Sequence, residues 1–293
     1  LSLLLSKITQ STSLVKPTAS GWHGNLDLVY AKRDGATEIT HSFAKAPLKV
    51  QRPFYPEGKK VCHSIILHTA GGIVGGDRLT QKIQLEPDTQ SLITTAAAGK
   101  VYRSNGQQAR QTVEIKIDRG ACLEYLPQET IVFEGAVYRQ DLRVELAPEA
   151  SWLGWEINRF GRSARGEKFY TGDWRSYTEV WQQGKPLWID RQWLPGNQEV
   201  FESIHGLAGK PVVGTLSWIG QPVDKEIVEK ARSLWKPREN GGEVGVTTLM
   251  SGLLCRYRGN STAEVRNWFT EIWQLLRLTY LQRPAIKLRV WQI

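Results

Sequence analysis

Much of what staples, anchors or exports a chain is scarce in this sequence. Its 293 residues include only three cysteines, Cys62, Cys122 and Cys255. They are odd in number and far apart, which argues against a disulfide framework and points to a reducing compartment, the cytoplasm. No stretch reaches the roughly 18 uninterrupted apolar residues that a membrane helix needs. The run Leu1 to Leu5 is too short for the apolar core of a secretory signal, follows no basic residue and precedes no small-residue cleavage pattern, so no export is implied. Asn260-Ser261-Thr262 accordingly reads as a helix start and not as a sugar acceptor. Common catalytic signatures are also missing. Gly99-Lys100 is followed by Val101 and lacks the earlier glycine of a phosphate-binding loop, and Gly71 to Gly76 fails the spacing of a dinucleotide fold. There is no His-Glu-x-x-His and no Gly-x-Ser-x-Gly.

What is present begins with charge. The chain carries 38 Lys and Arg against 29 Asp and Glu, a formal charge of +9, which favours acidic partners. The basic residues are spread along the chain, with no recognition-helix, zinc-finger or RNP pattern, so an acidic protein fits better than nucleic acid. From Gly21 to about Leu194 strand follows strand, as in Leu26 to Tyr30, Thr112 to Ile117 and Asp141 to Leu146. Asp34-Gly35, Asn105-Gly106, Arg119-Gly120, Gln183-Gly184 and Pro195-Gly196-Asn197 mark turns between them. The many tryptophans of this part, including Trp152, Trp155, Trp174, Trp181, Trp188 and Trp193, suit half-buried sheet faces and read as structural.

Past Lys210 the pattern changes. Val212 to Ile219 predicts a strand, and Asp224 to Trp235 a short helix with Ile227, Val228, Ala231 and Leu234 on one face, ended by Lys236-Pro237. Strands follow around Val244 to Leu249 and Leu253 to Tyr257. Ser261 to Glu264 has the form of a capping box, and Val265, Trp268, Phe269, Ile272, Leu275, Leu276 and Thr279 recur at helical spacing. Pro284 stops this helix, and Ile286 to Trp291 reads as a final strand. One domain over residues 1–293 is expected, a C-terminal α+β subdomain over 210–293 being the alternative.

Candidate chemistry concentrates between Arg52 and Asp77, where Glu57, Cys62, His63, His68 and Asp77 sit beside the four glycines of Gly71 to Gly76, which allow close backbone approach. Residues 63 and 68 are an odd number apart and would point to opposite faces of a regular strand, so they do not form a simple chelating pair. Asp77 reads either as a turn-forming carboxylate or as one lining a ligand or ion path. Glu124, Glu129 and Glu134 lie among apolar residues, where an unpaired charge is expensive, and need basic partners such as Arg103. In the stretch Gly161 to Phe169, Arg–carboxylate pairing is the plain explanation of the mixed Arg, Glu and Gly.

Taken in order, Gln51 to Gly58, Cys62-His63, His68 with Gly71 to Asp77, Thr94-Thr95 with Lys100 to Ser104, Leu123 to Ala136, and Gly161-Arg162 to Phe169 resemble the urease accessory family UreD, also called UreH. The agreement runs from Gly21-Trp22 through Arg256-Tyr257 and the Trp268 to Arg277 helix to Arg289-Val290-Trp291. Thr69-Ala70 and Ala96-Ala97-Ala98-Gly99-Lys100 depart from the family's proline-bearing runs at the same places. The resemblance implies a mainly β fold, a β-helix-like stack of sheets with two C-terminal α-helices packed on it. It implies a non-enzymatic scaffold for urease maturation that binds the urease structural subunits, recruits UreF and through it the GTPase UreG, and passes nickel through an internal passage. Nickel is then a transient passenger, and GTP enters only through the partner GTPase. On this reading Asp77, Glu156 and Glu167 line or gate the passage, Glu57 and His68 lie near its wall, and Arg103 or Arg162 holds carboxylates in place. The residues alone also admit a metal-dependent hydrolase using His63, His68 and Asp77, for which a third strong ligand is lacking, and a basic β-rich nucleic-acid binder.

Overall fold

The computed structural model describes residues 21–236 and 241–291. The readings of Leu1 to Leu5 and of Pro237 lie outside the described residues. Alternation of apolar and polar side chains builds two sheets, and the chain passes between them again and again.

One sheet holds β1 (His23–Arg33), β2 (Ala36–Lys45), β5 (Arg78–Leu85), β8 (Ala109–Ile117), β11 (Val137–Leu146), β13 (Asp173–Gln182) and β14 (Lys185–Pro195). Its order is β14-β13-β11-β8-β5-β1-β2. The second holds β3 (Leu48–Val50), β4 (Val61–His68), β6 (Gln90–Thr95), β9 (Cys122–Leu126), β12 (Ser151–Phe160), β15 (Val212–Ile219), β16 (Glu243–Leu249) and β17 (Gly252–Gly259). Its order is β16-β17-β15-β12-β9-β6-β4-β3, with the short β7 (Gly99–Val101) and β10 (Thr130–Val132) attached beside β12.

From β4 to β13 the longer strands fall alternately in the second sheet and the first, and their neighbours pair in parallel: β5 with β8, β8 with β11, β11 with β13, and likewise β4 with β6, β6 with β9, β9 with β12. Each coil of chain therefore lays one rung on each sheet, which gives the expected solenoid-like stack. Antiparallel hairpins, β1 with β2 and β13 with β14, occupy the ends of the first sheet.

Burial explains the strand patterns. In β5, which has one face on the core, exposed and buried residues alternate, whereas β4 and β9 are buried on both faces. Their first covering is the inter-sheet core, which includes Leu28, Ile83, Ile115, Val144, Trp152 and Trp174. Their second is the helical layer: α2 (Lys225–Ser233) and α3 (Thr262–Leu276) press Ile227, Val228, Val265, Phe269 and Ile272 onto the outer face of the second sheet. Trp152, Trp155, Trp174 and Trp188 are core residues, as their strand spacing predicts, while Trp193 is 61% exposed and its indole N–H donates to Asp173.

The C-terminal part holds the expected two helices, and the capping reading of Ser261 is met, since its side chain accepts the Glu264 N–H. A further short helix, α1 (Gln198–Glu202), is capped by Asn197. Strands β15, β17 and β16 continue the second sheet from β12, all antiparallel. Ile286 to Trp291 is not a strand. After α3 the chain makes a π-helical turn over Arg277–Leu281, runs irregularly, and closes with a 3-10 turn over Arg289–Trp291. The sheet face beneath is already paired edge to edge, so this tail packs by side chains: Trp291 lies 5.2 Å from the Trp155 ring and donates to Thr94 Oγ1.

Candidate functional site

Between the two sheets lies a cavity of about 340 Å³. It reaches the surface beside Gly71, Ala97 and Lys100, which are exposed, and runs inward past His68 to Glu156. Its walls mix core residues such as Leu79 and Val113 with Gln81, Gln111, Gln140 and Ser176. The runs that depart from the family pattern, Thr69-Ala70 and Ala96 to Lys100, fall beside or within this mouth.

Inward position is a matter of strand parity. On β4, His63 and His68 face opposite ways, as their odd spacing predicts. His63 is fully buried on the helix side, its Nε2 2.7 Å from Glu57 Oε1. His68 faces the cavity, and neither ring nitrogen has a hydrogen-bond partner among the described residues. Burial lowers the pKa of His68, the nearby Asp77 charge opposing but not cancelling it. A neutral imidazole with both nitrogens free therefore borders the cavity.

Two carboxylates line the cavity, and since Asp141 is paired with Arg110 and Arg139, Glu156 on β12 is the one without a cation. It accepts a hydrogen bond from Ser176 Oγ at 2.9 Å and another from Asn158 Nδ2, while Gln140 donates to Ser176 at 3.1 Å. Burial pushes its pKa up, against the lowering effect of those donors. Neutral hydrogen-bond donors steady the group without a cation, so the carboxylate keeps its capacity to take one.

The other expected site residues are placed elsewhere. Asp77 is 1% exposed and its two oxygens accept the Trp22 and Val74 backbone N–H groups at 2.8 and 2.9 Å, the turn-forming arrangement. Gly76 before it has φ +94, a conformation that glycine permits. Glu167 is gripped by Arg162 through Nε and Nη2 at 2.7 and 2.8 Å, in a loop set by Gly161, where an added Cβ would stand 2.1 Å from the Glu167 carbonyl oxygen. Arg162 thus holds a carboxylate outside the cavity wall; Arg103 is exposed and packs on Gly135. Glu57, Asp77 and Glu167 are not in the cavity wall. Among the described residues no group of three or more His, Cys, Asp and Glu side chains is arranged to hold a metal ion, and the opposite facing of His63 and His68 removes the cluster that a hydrolase would use.

The strongest polar cluster was not visible in the sequence. Arg277, fully buried in the turn after α3, donates from Nε to Glu124 and from Nη1 and Nη2 to Glu57, Glu124 and the Pro284 carbonyl. Trp273 and Arg283 also donate to Glu124. Burial alone would push the Glu57 carboxyl up, but His63 and Arg277 outweigh it and bring the pKa down to about 2. Arg277, and not Arg103, is the partner that Glu124 needs, and Glu129 takes Arg266. The available signal was one arginine four residues after Trp273 on an otherwise apolar helix face.

The family model described as "UreD urease accessory protein" matches residues 23–292. Proteins named urease accessory protein UreD are similar along nearly their whole length. The one from Nostoc sp. is 66% identical, covering 97% of this chain and 100% of the relative. That from Acaryochloris marina is 57% identical over 94% and 96%, and that from Synechocystis sp. 43% over 91% and 98%. Among the described residues no helix is long and apolar enough to cross a membrane.

Proposed function

This chain belongs to the UreD family of urease accessory proteins, maturation factors of urease and not enzymes, and from that premise we propose that it is a cytoplasmic scaffold that conducts nickel to apo-urease through its inter-sheet cavity. The observation that supports this most directly is the pairing, in one cavity wall, of an imidazole with both nitrogens free and a carboxylate held only by neutral donors. Nickel(II) accepts both ligand types. A conducting path needs ligands that hold an ion weakly and in succession, because a closed cage would retain it. His68 near the mouth and Glu156 further in supply two such stations. Asp77, Glu57 and Glu167 then act on the walls: Asp77 ties Trp22 to the Val74 turn, Glu57 seats the C-terminal turn, and Glu167 fixes the Gly161 loop.

On this reading the chain docks on the urease structural subunits and recruits UreF and, through it, the GTPase UreG, with GTP bound only by that partner. Its excess of positive charge gives it an attraction for acidic partner surfaces that moderate salt weakens.

The test is the nickel content and activity of urease produced with its other accessory proteins, with and without this chain, at limiting nickel. Nickel-poor, inactive urease that recovers only when the chain is restored supports the reading. Recovery with His68→Ala or Glu156→Gln that matches the parent chain, both variants being folded, would remove the cavity from it.

A further inference from the structure

The inward face of the first sheet carries an anomaly. Cross-strand register aligns Gln111 on β8, Gln140 on β11, Ser176 on β13 and Gln192 on β14 in one row. The inward row on one side is apolar, Ala109, Tyr138, Trp174 and Leu194; on the other, Val113 and Leu142 share a row with Thr178 and Asp190 before the apolar row Ile115, Val144, Val180 and Trp188. The second sheet answers with its own aligned row, Glu156 on β12, Thr215 on β15 and Arg256 on β17. Ser176 bonds Glu156 across the gap. A polar seam thus leaves the large cavity and runs to the end of the stack, through positions where burying polar groups carries a cost.

Along the seam lies a second, small cavity of about 20 Å³, room for about one water by its size. It shares Leu142, Trp155 and Glu156 with the large one. Asp190, Gln192 and Thr215 line its outer side, and a ring of hydrogen bonds joins them to Arg256, which is not itself a lining residue. Arg256 pairs with Asp190 of β14 at 2.7 Å and donates to Thr215 Oγ1 at 2.7 Å, and Gln192 donates to Asp190 at 2.8 Å and approaches Thr215 at 3.5 Å. Beyond the ring is solvent, since the Arg256 side chain is 38% exposed.

We propose that this end of the stack is a second outlet of the cavity and that the Asp190–Arg256 pair is the latch that closes it. The inference rests on the cavity being a route for an ion. A route needs two ends, and the described mouth beside Lys100 supplies one. A latch of side chains suits the place: rotating Arg256 outward breaks two bonds and frees Asp190 and Thr215 of the cavity wall to move, while the backbone pairing of β17 with β15 and β16 stays intact.

Access to the small cavity can be read without urease. Thr178, 6% exposed, lines it and lies opposite Asp190 in register. In the full chain, Thr178→Cys is labelled with a small methanethiosulfonate, alone and combined with Arg256→Gln or with Asp190→Asn, which keeps the side-chain size. Buried Cys62 and Cys122 report any global opening. Both latch variants are expected to speed labelling of residue 178 by roughly tenfold, the factor that about 1.4 kcal/mol in the opening equilibrium corresponds to, with Cys62 and Cys122 unchanged. Rates within twofold of the parent, or a rise shared by Cys62 and Cys122, would overturn the latch. The nickel reading fails separately: if residue 178 becomes accessible as expected while urease nickel loading is insensitive to both Arg256→Gln and Glu156→Gln, the outlet stands and the cavity is not the nickel route.

Discussion

Replacing Arg277 by Met keeps most of the side chain's length and apolar bulk but removes the cation on which the C-terminal turn is seated. In the parent chain all five guanidinium N–H donors are used, two on Glu124, two on Glu57 and one on the Pro284 carbonyl. Glu124 is fully buried and the Glu57 side chain is 7% exposed, so neither carboxylate recovers hydration when the guanidinium is gone. Removing one partner of a buried ion pair costs about 3–5 kcal/mol, because the other charge stays behind in a poor solvent. The lowered pKa of Glu57 sets a consistent scale: a fall from 4.5 to about 2 corresponds to at most about 3.5 kcal/mol of stability. That contribution is fully present above pH 4.5 and is lost as the pH falls through about 2. In Arg277→Met, burial is no longer opposed by the guanidinium, so Glu57 sheds its charge at higher pH, and the deficit relative to the parent narrows as the pH drops. Urea unfolding at pH 7.5 and pH 5 measures both effects. A loss below about 1 kcal/mol at pH 7.5, or one that is the same at both pH values, would refute the reasoning.

Three further outcomes follow from the cited contacts. Burial raises the pKa of Glu156, so its favourable effect on folding is complete below 4.5 and is lost as the pH rises through the folded value; Glu156→Gln should therefore raise the urea midpoint at pH 7.5 and leave it unchanged at pH 4, and a lower midpoint at pH 7.5 would contradict this. Ser261→Ala removes the cap on Glu264 N–H and should cost about 1 kcal/mol, with Ser261→Asp close to the parent, as followed by the same unfolding curves. Asp77→Ala strands the Trp22 and Val74 N–H groups and should destabilise by about 1–3 kcal/mol, part of which Asp77→Asn recovers through its one remaining carbonyl oxygen; amide exchange at Trp22 and Val74 reads the local loss.

Local rules carried some parts of the molecule and failed at others for identifiable reasons. The strands over Leu26–Tyr30, Thr112–Ile117 and Asp141–Leu146 were legible because one of their faces meets solvent and the period of two is clean. The opposite facing of His63 and His68 followed from parity alone. Helix α3 announced itself through Ser261, Glu264 and its apolar spacing. Ile286 to Trp291 misled because β-branched and aromatic residues suit a pleated surface and a packed tail equally well, and nothing local says whether an unpaired strand is free to receive them. The partners of Glu124 were illegible for a different reason: Arg277 lies 153 residues away in the chain, and only the docking of α3 brings it there.

The polar seam is the instructive middle case. Gln111, Gln140, Ser176 and Gln192 can each be recognised in the sequence as a polar residue at an inward strand position, and each alone would pass as an ordinary irregularity. Their meaning depends on register, which in a parallel stack is set coil by coil by the loops between rungs, since a one-residue slip would turn every side chain to the other face. The three connections between those four strands would have to align four polar residues by chance beside a second aligned row, Glu156, Thr215 and Arg256, on the facing sheet. Stability gives no reason for that alignment, because apolar residues at the same positions would pack the core without polar groups that need partners. The proposed path, handing a cation from one oxygen donor to the next, would give one for Gln111, Gln140, Ser176 and Glu156, and it requires those oxygens in a row, whereas Arg256, which has no lone pair to offer a cation, belongs to the proposed latch.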